Sequence, residues 1–383
     1  MAAARYLMPG LADMHVHYNE PSFAVLFLAN GVTTVRNMSG HPFHLEARAA
    51  IERDGLGRSL YTAGPIMDGS PPSWEGSVVI ETAEQADQSV VEQKDAGYDI
   101  LKVYSNLTLP AYDAIIAAAR KHEMRVAGHV PGAVGIRHAL ASGLACLEHL
   151  YGYLPALVGD DAVAGMSHFD RLMYAIEHAD ESRIPELVDR TVEAGAWNCV
   201  TLIVHRLLAR GRFAYDEERK RRELRYLSSA YETQWRDQLG PSGDPARTER
   251  MAARAEELRF KITRALRDAC ARLLLGTDTP NPLVVPGFSI HEELALLVQA
   301  GLSPYEALRA GTHDAAELLG AQDEFGTIAV GRRADLILLE ANPLDGVANV
   351  ARPAGVMSRG RWYPEEELRS MLAGVAARVA QGT

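Results

Sequence analysis

The stretch MPGLADMHVH, residues 8–17, decides how this chain is read. A run of mostly apolar residues leads to His15 and His17, which stand two apart. A β-strand repeats every two residues, so both imidazoles leave the same face and can reach one ion. An HxH pair alone is a weak signal, because core packing explains such pairs more often than a metal does. The rest of the chain has to supply more.

Seven further apolar segments follow: GVTTVRN at 31–37, SLYTAGPI at 59–66, YDILKVY at 98–104, MRVAGHV at 124–130, ACLEHL at 145–150, WNCVTLIVH at 197–205 and RLLLGTD at 272–278. Between them lie stretches such as PAYDAIIAAARKHE (110–123) and AVGIRHALASG (133–143), where apolar residues recur at helical spacing. This alternation predicts parallel strands joined by crossover helices, and eight such units favour an α/β fold of the (β/α)8 TIM-barrel type over an open sheet. A barrel of roughly 250 residues with insertions would use most of the 383.

We expect the barrel to occupy 10–320. Residues 215–239 and 246–270 are rich in Glu, Arg and Lys and flank GPSGDP, so they read as two long helices joined by a turn. That insertion, at about 215–270, is a solvated surface hairpin or else a lid or oligomer contact. PYEALRAGTHDAAELLG (304–320) reads as helical, and FGTIAVGRRADLILLE and GVMSRGRWY as turns and strands. Residues 1–9 with 321–365 would then form a small, reduced β-sandwich appendage, and 366–383 a C-terminal helix.

Four more ligand-type residues close apolar runs: Lys102 in YDILK, His129 in RVAGH, His149 in CLEH and Asp278 in LLLGTD. The carboxyl ends of all strands of a (β/α)8 barrel ring one mouth, which carries the active site. Residues far apart in sequence would therefore meet there. One such polar strand end is ordinary, but six at five strand ends are hard to credit to accident.

Together these motifs resemble the amidohydrolase superfamily, in its two-metal branch with a carboxylated lysine. VPGFSIHEELALLVQAGLSPYEALRAGT and GTIAVGRRADLILLEANP are similar to its imidazolonepropionase-like and prolidase-like members, over about residues 5–363. The resemblance implies two divalent ions, zinc being the first expectation: His15, His17 and Asp278 on one, His129 and His149 on the other, with N6-carboxylated Lys102 bridging both. It implies hydrolysis of a carbon–nitrogen bond by a metal-bridged hydroxide, with Asp278 shuttling the proton. A buried neutral amine can capture carbon dioxide where an ammonium beside two cations would be repelled. The plain alternative for Lys102 is a surface lysine reaching outward from a strand end.

A dipeptide of Xaa-Pro type or an N-acyl amino acid is the expected substrate. Tyr104, Tyr151 and His205 are candidates to hydrogen-bond its carbonyl oxygen, Asn281 to shape the pocket, and Arg137 or Arg206 to hold a carboxylate. The alternatives are a one-metal cyclic-amide hydrolase in which Lys102 is a bystander, a lactone or phosphotriester hydrolase, and a non-catalytic metal-binding scaffold. Deamination is disfavoured: deaminases of this fold bring an HxxE acid, whereas VPG follows His129 and LYG follows His149.

Two features depart from the family pattern. Only about nine residues precede the first barrel strand, which would leave the strands near 325–363 with an exposed edge. Asn37 stands in RNM where the family carries an acid, and it is expected to support a ligand from behind rather than bind metal.

Bulk composition narrows the partners. With 39 Lys and Arg against 50 Asp and Glu, the net charge of −11 argues against attraction to nucleic acid or anionic membrane. No leader-like segment or apolar run of membrane-spanning length stands out, so a cytoplasmic location is expected, and a homo-oligomer. Cys146, Cys199 and Cys270 are expected to be buried free thiols.

Overall fold

The protein is described as a computed structural model covering residues 5–54, 59–163, 165–239 and 243–382. Its strands are β1 (Tyr6–Pro9), β2 (Leu11–Val16), β3 (Val32–Asn37), β4 (Ser59–Thr62), β5 (Met67–Asp68), β6 (Val78–Val79), β7 (Leu101–Val103), β8 (Val126–Gly128), β9 (Cys146–Glu148), β10 (Trp197–Cys199), β11 (Arg272–Leu274), β12 (Leu336–Leu339), β13 (Pro353–Ser358) and β14 (Arg361–Pro364). All eight expected barrel-type strands are present, each shorter than the apolar run that announced it.

Two parallel sheets carry them. One runs β2–β3–β4, and a seven-stranded sheet runs β11–β10–β9–β8–β7–β5–β6. Parallel bridges link the two sheets at both sides, Ala63 to Ile100 and Val16 to Thr279. Main-chain bonds reinforce these junctions: Met14 N–H donates to Leu275 O (2.9 Å), His17 N–H to Thr279 O (2.7 Å) and Asp99 N–H to Thr62 O (3.0 Å). The arrangement is TIM-barrel-like. Every residue of β2 and β3 is buried, as expected for parallel strands covered on both faces.

The connecting helices start and stop where local chemistry says they should. Thr82 caps the helix Ala83–Ala96 in a reciprocal box with Gln85, and Gly97 ends it at φ 90°. Ser303 and Glu306 form a second box at Pro304–Ala310. The stretch 304–320 is two helices rather than one, because Thr312 leaves helical geometry before His313–Leu319 begins.

The charged insertion also differs from expectation. Instead of one helix over 215–239, the helix Leu202–Glu218 runs into that region with a break at Gly211, a 3-10 turn covers Arg222–Tyr226, and Ser229–Gln238 is a separate short helix. The second expected helix is present as Pro245–Asp268. Buried Tyr231 and Trp235 explain the short piece: they anchor Ser229–Gln238 to the body, and Trp235 Nε1 donates to Pro280 O at 2.9 Å. Part of the GPSGDP turn lies outside the described residues.

A four-stranded antiparallel sheet, β1–β12–β13–β14, sits beside the parallel sheets. Tyr6–Pro9 pairs with Leu336–Leu339 along its whole length, so β12 is not an edge and the exposed edges fall on β1 and β14. The helix Glu365–Ala380 follows. The first four residues of the expected appendage and the last residue of the expected terminal helix lie outside the described residues. Cys146 and Cys199 are buried as expected, but Cys270 is exposed, because it follows the end of Pro245–Asp268 on the surface rather than entering a strand.

Gly128 shows how tightly neighbouring strands approach. At φ 146° it lies where an L side chain is strained, and a Cβ there would sit 2.1 Å from Val103 O on β7. Gly128→Ala is expected to lower stability by about 2–3 kcal/mol. A thermal melt should show a reduced Tm, and a variant that melts like the wild type would contradict this packing.

Candidate active site

The expected residues converge at the carboxyl ends of the parallel strands. Asp278 is central: its Oδ1 lies 3.0 Å from His17 Nε2 and 3.4 Å from His15 Nε2, and its Oδ2 3.7 Å from His149 Nδ1. The rings of His15 and His149 are 4.3 Å apart and those of His129 and His149 5.0 Å. His15, His17 and Asp278 offer three donor atoms within 4.8 Å of one another, a group able to hold a metal ion.

The backbone is bent to present these side chains. Asp278 at φ 62°, His149 at φ 64° and Thr201 at φ 45° all lie in the left-handed region, which non-glycine residues rarely adopt. Such strain costs of order 1–3 kcal/mol per residue and clusters where function requires a fixed direction.

Three of the imidazoles are oriented from behind. His15 Nδ1 donates to Glu148 Oε2 at 2.7 Å, and Glu148 Oε1 accepts from Arg36 Nη2, also at 2.7 Å. Arg36 Nε in turn donates to Met14 O at 2.6 Å. His129 Nδ1 meets Ser105 Oγ at 2.9 Å and His149 Nδ1 meets Thr201 Oγ1 at 2.8 Å. His15 Nε2 has no hydrogen-bond partner among the described residues, and His17 turns Nε2 toward Asp278. Protein oxygens on the far nitrogen of metal-binding histidines fix the tautomer and raise basicity.

Electrostatics agree with neutral ligands. Burial first, then the neighbouring Lys102, holds His15 well below the ordinary imidazole range. Burial and His15 do the same to His149. Lys102 is 1% exposed, and its Nζ has no hydrogen-bond partner among the described residues. Burial is the main cause that lowers its pKa. A buried amine and a buried His15 Nε2, neither with a hydrogen-bond partner among the described residues, lie near the Asp278 carboxylate and fit a site that a cation would complete.

The mouth opens into a cavity of about 430 Å³. Tyr104 and Tyr151 both stack on the His129 ring, at 3.9 and 4.2 Å between centroids. Tyr104 accepts from Trp74 Nε1 at 2.6 Å, leaving its hydroxyl proton to be donated elsewhere, and burial keeps that phenol protonated. Asn281 donates to Asp278 O at 2.7 Å and so stiffens the turn that aims Asp278.

Two expectations need correction. His205 lies on the helix Leu202–Glu218 rather than at a strand end, since the strand stops at Cys199. Its Nε2 donates to His149 O at 2.8 Å and burial holds the ring neutral, so Nδ1 is an acceptor and cannot donate to a carbonyl. Arg137 and Arg206 do not line the cavity: Arg137 forks onto Glu186 at 3.0 and 2.8 Å, and Arg206 pairs with Glu256.

Several contributors were not anticipated. Glu148, Arg36 and Ser105 support the imidazoles; Asp13 accepts from Thr277 N (2.9 Å), Thr277 Oγ1 (2.7 Å) and His15 N (3.3 Å) and ties β2 to the segment bearing Asp278. Glu293 takes the place of a missing N-cap by accepting from Leu202 N (2.8 Å) and Ile203 N (2.7 Å). Asn37, by contrast, was expected to act from behind the ligands; it accepts Tyr18 N–H at 2.9 Å just after His17.

Known proteins share this geometry's framework. The model of the amidohydrolase family matches residues 6–363, and the chain belongs to that family. A solved bottromycin amidohydrolase is 30% identical with a TM-score of 0.78, over 98% of this chain and 80% of that one. A Xaa-Pro dipeptidase solved with methionine bound in its active site has a TM-score of 0.67 at 20% identity, covering 94% of this chain and 87% of that one, and shows the shared fold. An imidazolonepropionase of Rubrobacter xylanophilus is 41% identical over 83 residues, which is 20% of this chain and 19% of that protein. The match thus spans about a fifth of that curated relative's length. Family membership supports a hydrolase acting on carbon–nitrogen bonds.

Two tests probe the supports. Glu148→Gln strands the buried Arg36 charge and weakens the grip on His15, so stability should fall by about 3 kcal/mol and metal affinity by roughly 10–100-fold. Denaturant melts and metal titration read the two effects, and an unchanged affinity would contradict the role of Glu148. Burial pushes Glu293 from an ordinary 4.5 up to about 8. A carboxyl with a raised folded-state pKa stabilises most below its unfolded value and loses that contribution as pH rises through the folded one. The difference in Tm between Glu293→Gln and wild type should therefore shift in favour of the variant from pH ~4.5 to ~8, and a pH-independent difference would refute it.

Proposed function

We propose that this chain is a metal-dependent amidohydrolase that cleaves a carbon–nitrogen amide bond in a small peptide-like molecule. The observation that carries this reading is the buried Lys102 amine, without a hydrogen-bond partner among the described residues and close to His15, His149 and Asp278 at one mouth. Family membership and the likeness to a bottromycin amidohydrolase and to a prolidase-type fold support it.

In this reading the eight strands β2, β3, β4, β7, β8, β9, β10 and β11 close as a (β/α)8 barrel over residues 10–320, with the insertion at 215–270 as its roof. Residues 1–9 and 321–365 form the β appendage, and 366–383 the terminal helix. His15, His17 and Asp278 would hold one divalent ion, His129 and His149 a second, and Lys102 as an N6-carbamate would join them. Imidazole and carboxylate donors suit zinc. Divalent ions bound there supply Lewis acidity toward water and the substrate carbonyl.

The chain's own groups do the rest. Asp278, between His15 and His17, accepts the proton of the attacking water and returns it to the departing nitrogen, without which an amine leaves poorly. The Tyr104 hydroxyl, fixed by Trp74, donates toward the carbonyl oxygen as negative charge builds there. His205 Nδ1 accepts an N–H of the substrate. The Tyr104–His129–Tyr151 stack walls off one side of the reacting centre.

The test combines metal content with turnover of blocked peptides, dipeptides, N-acyl amino acids, lactones and cyclic amides. Two metals per chain, amide turnover, a drop of roughly 10³-fold or more in kcat for Asp278→Asn and loss of one metal in Lys102→Ala are expected. Labelled bicarbonate should give a carbamate carbon signal that Lys102→Ala lacks. One metal per chain with Lys102→Ala fully active would defeat the two-metal reading.

A further inference from the structure

The walls of the cavity say more about the substrate than its floor does, provided that the mouth hydrolyses an amide as proposed. Beyond the histidines, Lys102 and Asp278, the described lining residues include no arginine and no further lysine. The one additional carboxylate is Glu75, which is exposed and has no ion pair among the described residues. The roof and rim are otherwise neutral: Gln234 and Gln238 stand four apart on the helix Ser229–Gln238, Asn19 adds a third primary amide, and Trp74 and Leu208 add apolar surface.

Three arginines outside the lining are engaged elsewhere. Arg206 is held by Glu256 and Gln299, Arg137 by Glu186, and Arg221 by Glu292 and Glu223. Arg259 is buried and its Nε has no hydrogen-bond partner among the described residues, but it lines a separate small cavity with His205 rather than this one. A free carboxylate beside the scissile bond would thus meet Glu75 and no guanidinium. Sites built for carboxylates use the planar, bidentate arginine fork, and a like charge across a contact is costly.

Primary amides, by contrast, match a peptide backbone. Each carries a donor and an acceptor, so Gln234, Gln238, Asn19 and Asn281 can pair with both the N–H and the C=O of a substrate that continues past the cleaved bond. We infer that the substrate is a peptide-like amide with no free carboxylate flanking the scissile bond, carrying a neutral or cationic group where it passes Glu75. The free dipeptides and N-acyl amino acids expected from sequence are then poor substrates compared with their blocked forms.

Matched short peptides, each made as the C-terminal free acid and as the carboxamide, with leucine or lysine beside the tested end, decide the matter. Both kcat/KM on the metal-loaded enzyme and Kd by calorimetry are measured, at mildly alkaline pH where imidazoles carry little charge. The carboxamides should be favoured at least about ten-fold in both readouts, the lysine peptides should outperform the leucine ones, and Glu75→Gln should reduce both preferences several-fold. Glu75 is exposed, so this variant is expected to fold as the wild type does.

Free acids that bind and react as well as carboxamides would overturn the inference while leaving amide hydrolysis in place, as would preferences unmoved by Glu75→Gln. Carboxamides that bind tightly without being cleaved would keep the inference and sink the hydrolase reading. Failure of every peptide to bind would overturn the inference.

Discussion

The structure depends on a line of buried charge and dipole that runs from Arg36 through Glu148 to His15. Arg36 and Glu148 are both fully buried. Neither ion would tolerate that position alone, since an unpaired buried charge is far more costly than an exposed one. Their pairing sets the orientation of the Glu148 carboxylate, which sets the His15 tautomer, which leaves Nε2 facing Asp278. The same three residues come from β3, β9 and β2, so the line also crosses the interior and ties the neighbouring strands β2 and β3 to β9 in the other sheet. Replacing it by apolar side chains would remove the reason for the imidazole to point at the mouth.

Around that axis His129 and His149 have anchors of their own, and further groups act behind the site. Ser105 and Thr201 are neutral hydroxyls, Asp13 acts through main-chain and hydroxyl donors of Thr277, and Glu293 acts two steps away by capping the helix that bears His205. The strained φ values at His149, Thr201 and Asp278 fall within this web. Bonds on either side of the strained residues offset the cost of that strain and fix the directions of their side chains.

How much of this can be seen in sequence depends on which residues obey a short repeat. His15, His17, Lys102, His129, His149 and Asp278 end apolar runs, and strand periodicity together with barrel topology is enough to bring such residues to one rim. Glu148 and Arg36 left a weaker mark, an acid beside His149 in CLEH and a cation inside VTTVRN, each inside a run that should be apolar. Charged residues inside buried strands can be expected to pair, but nothing local says with which partner. Trp74, Gln234 and Gln238 were invisible because they come from a loop and from the insertion, where no periodic pattern fixes direction. His205 was misplaced because WNCVTLIVH is mostly apolar, and a short strand running into a helix looks the same as a longer strand until the break at Val200 and Thr201 is known.

The three cysteines turn this architecture into a natural stopwatch. Cys270 faces solvent, while Cys146 and Cys199 are enclosed with Glu148 and Arg36, and burial raises both thiols above their ordinary pKa. A thiol kept protonated and out of reach reacts only when its surroundings part. An alkylating reagent therefore marks the surface sulfur at once, and the later capture of the two interior sulfurs dates the moment at which the chain lets its centre breathe.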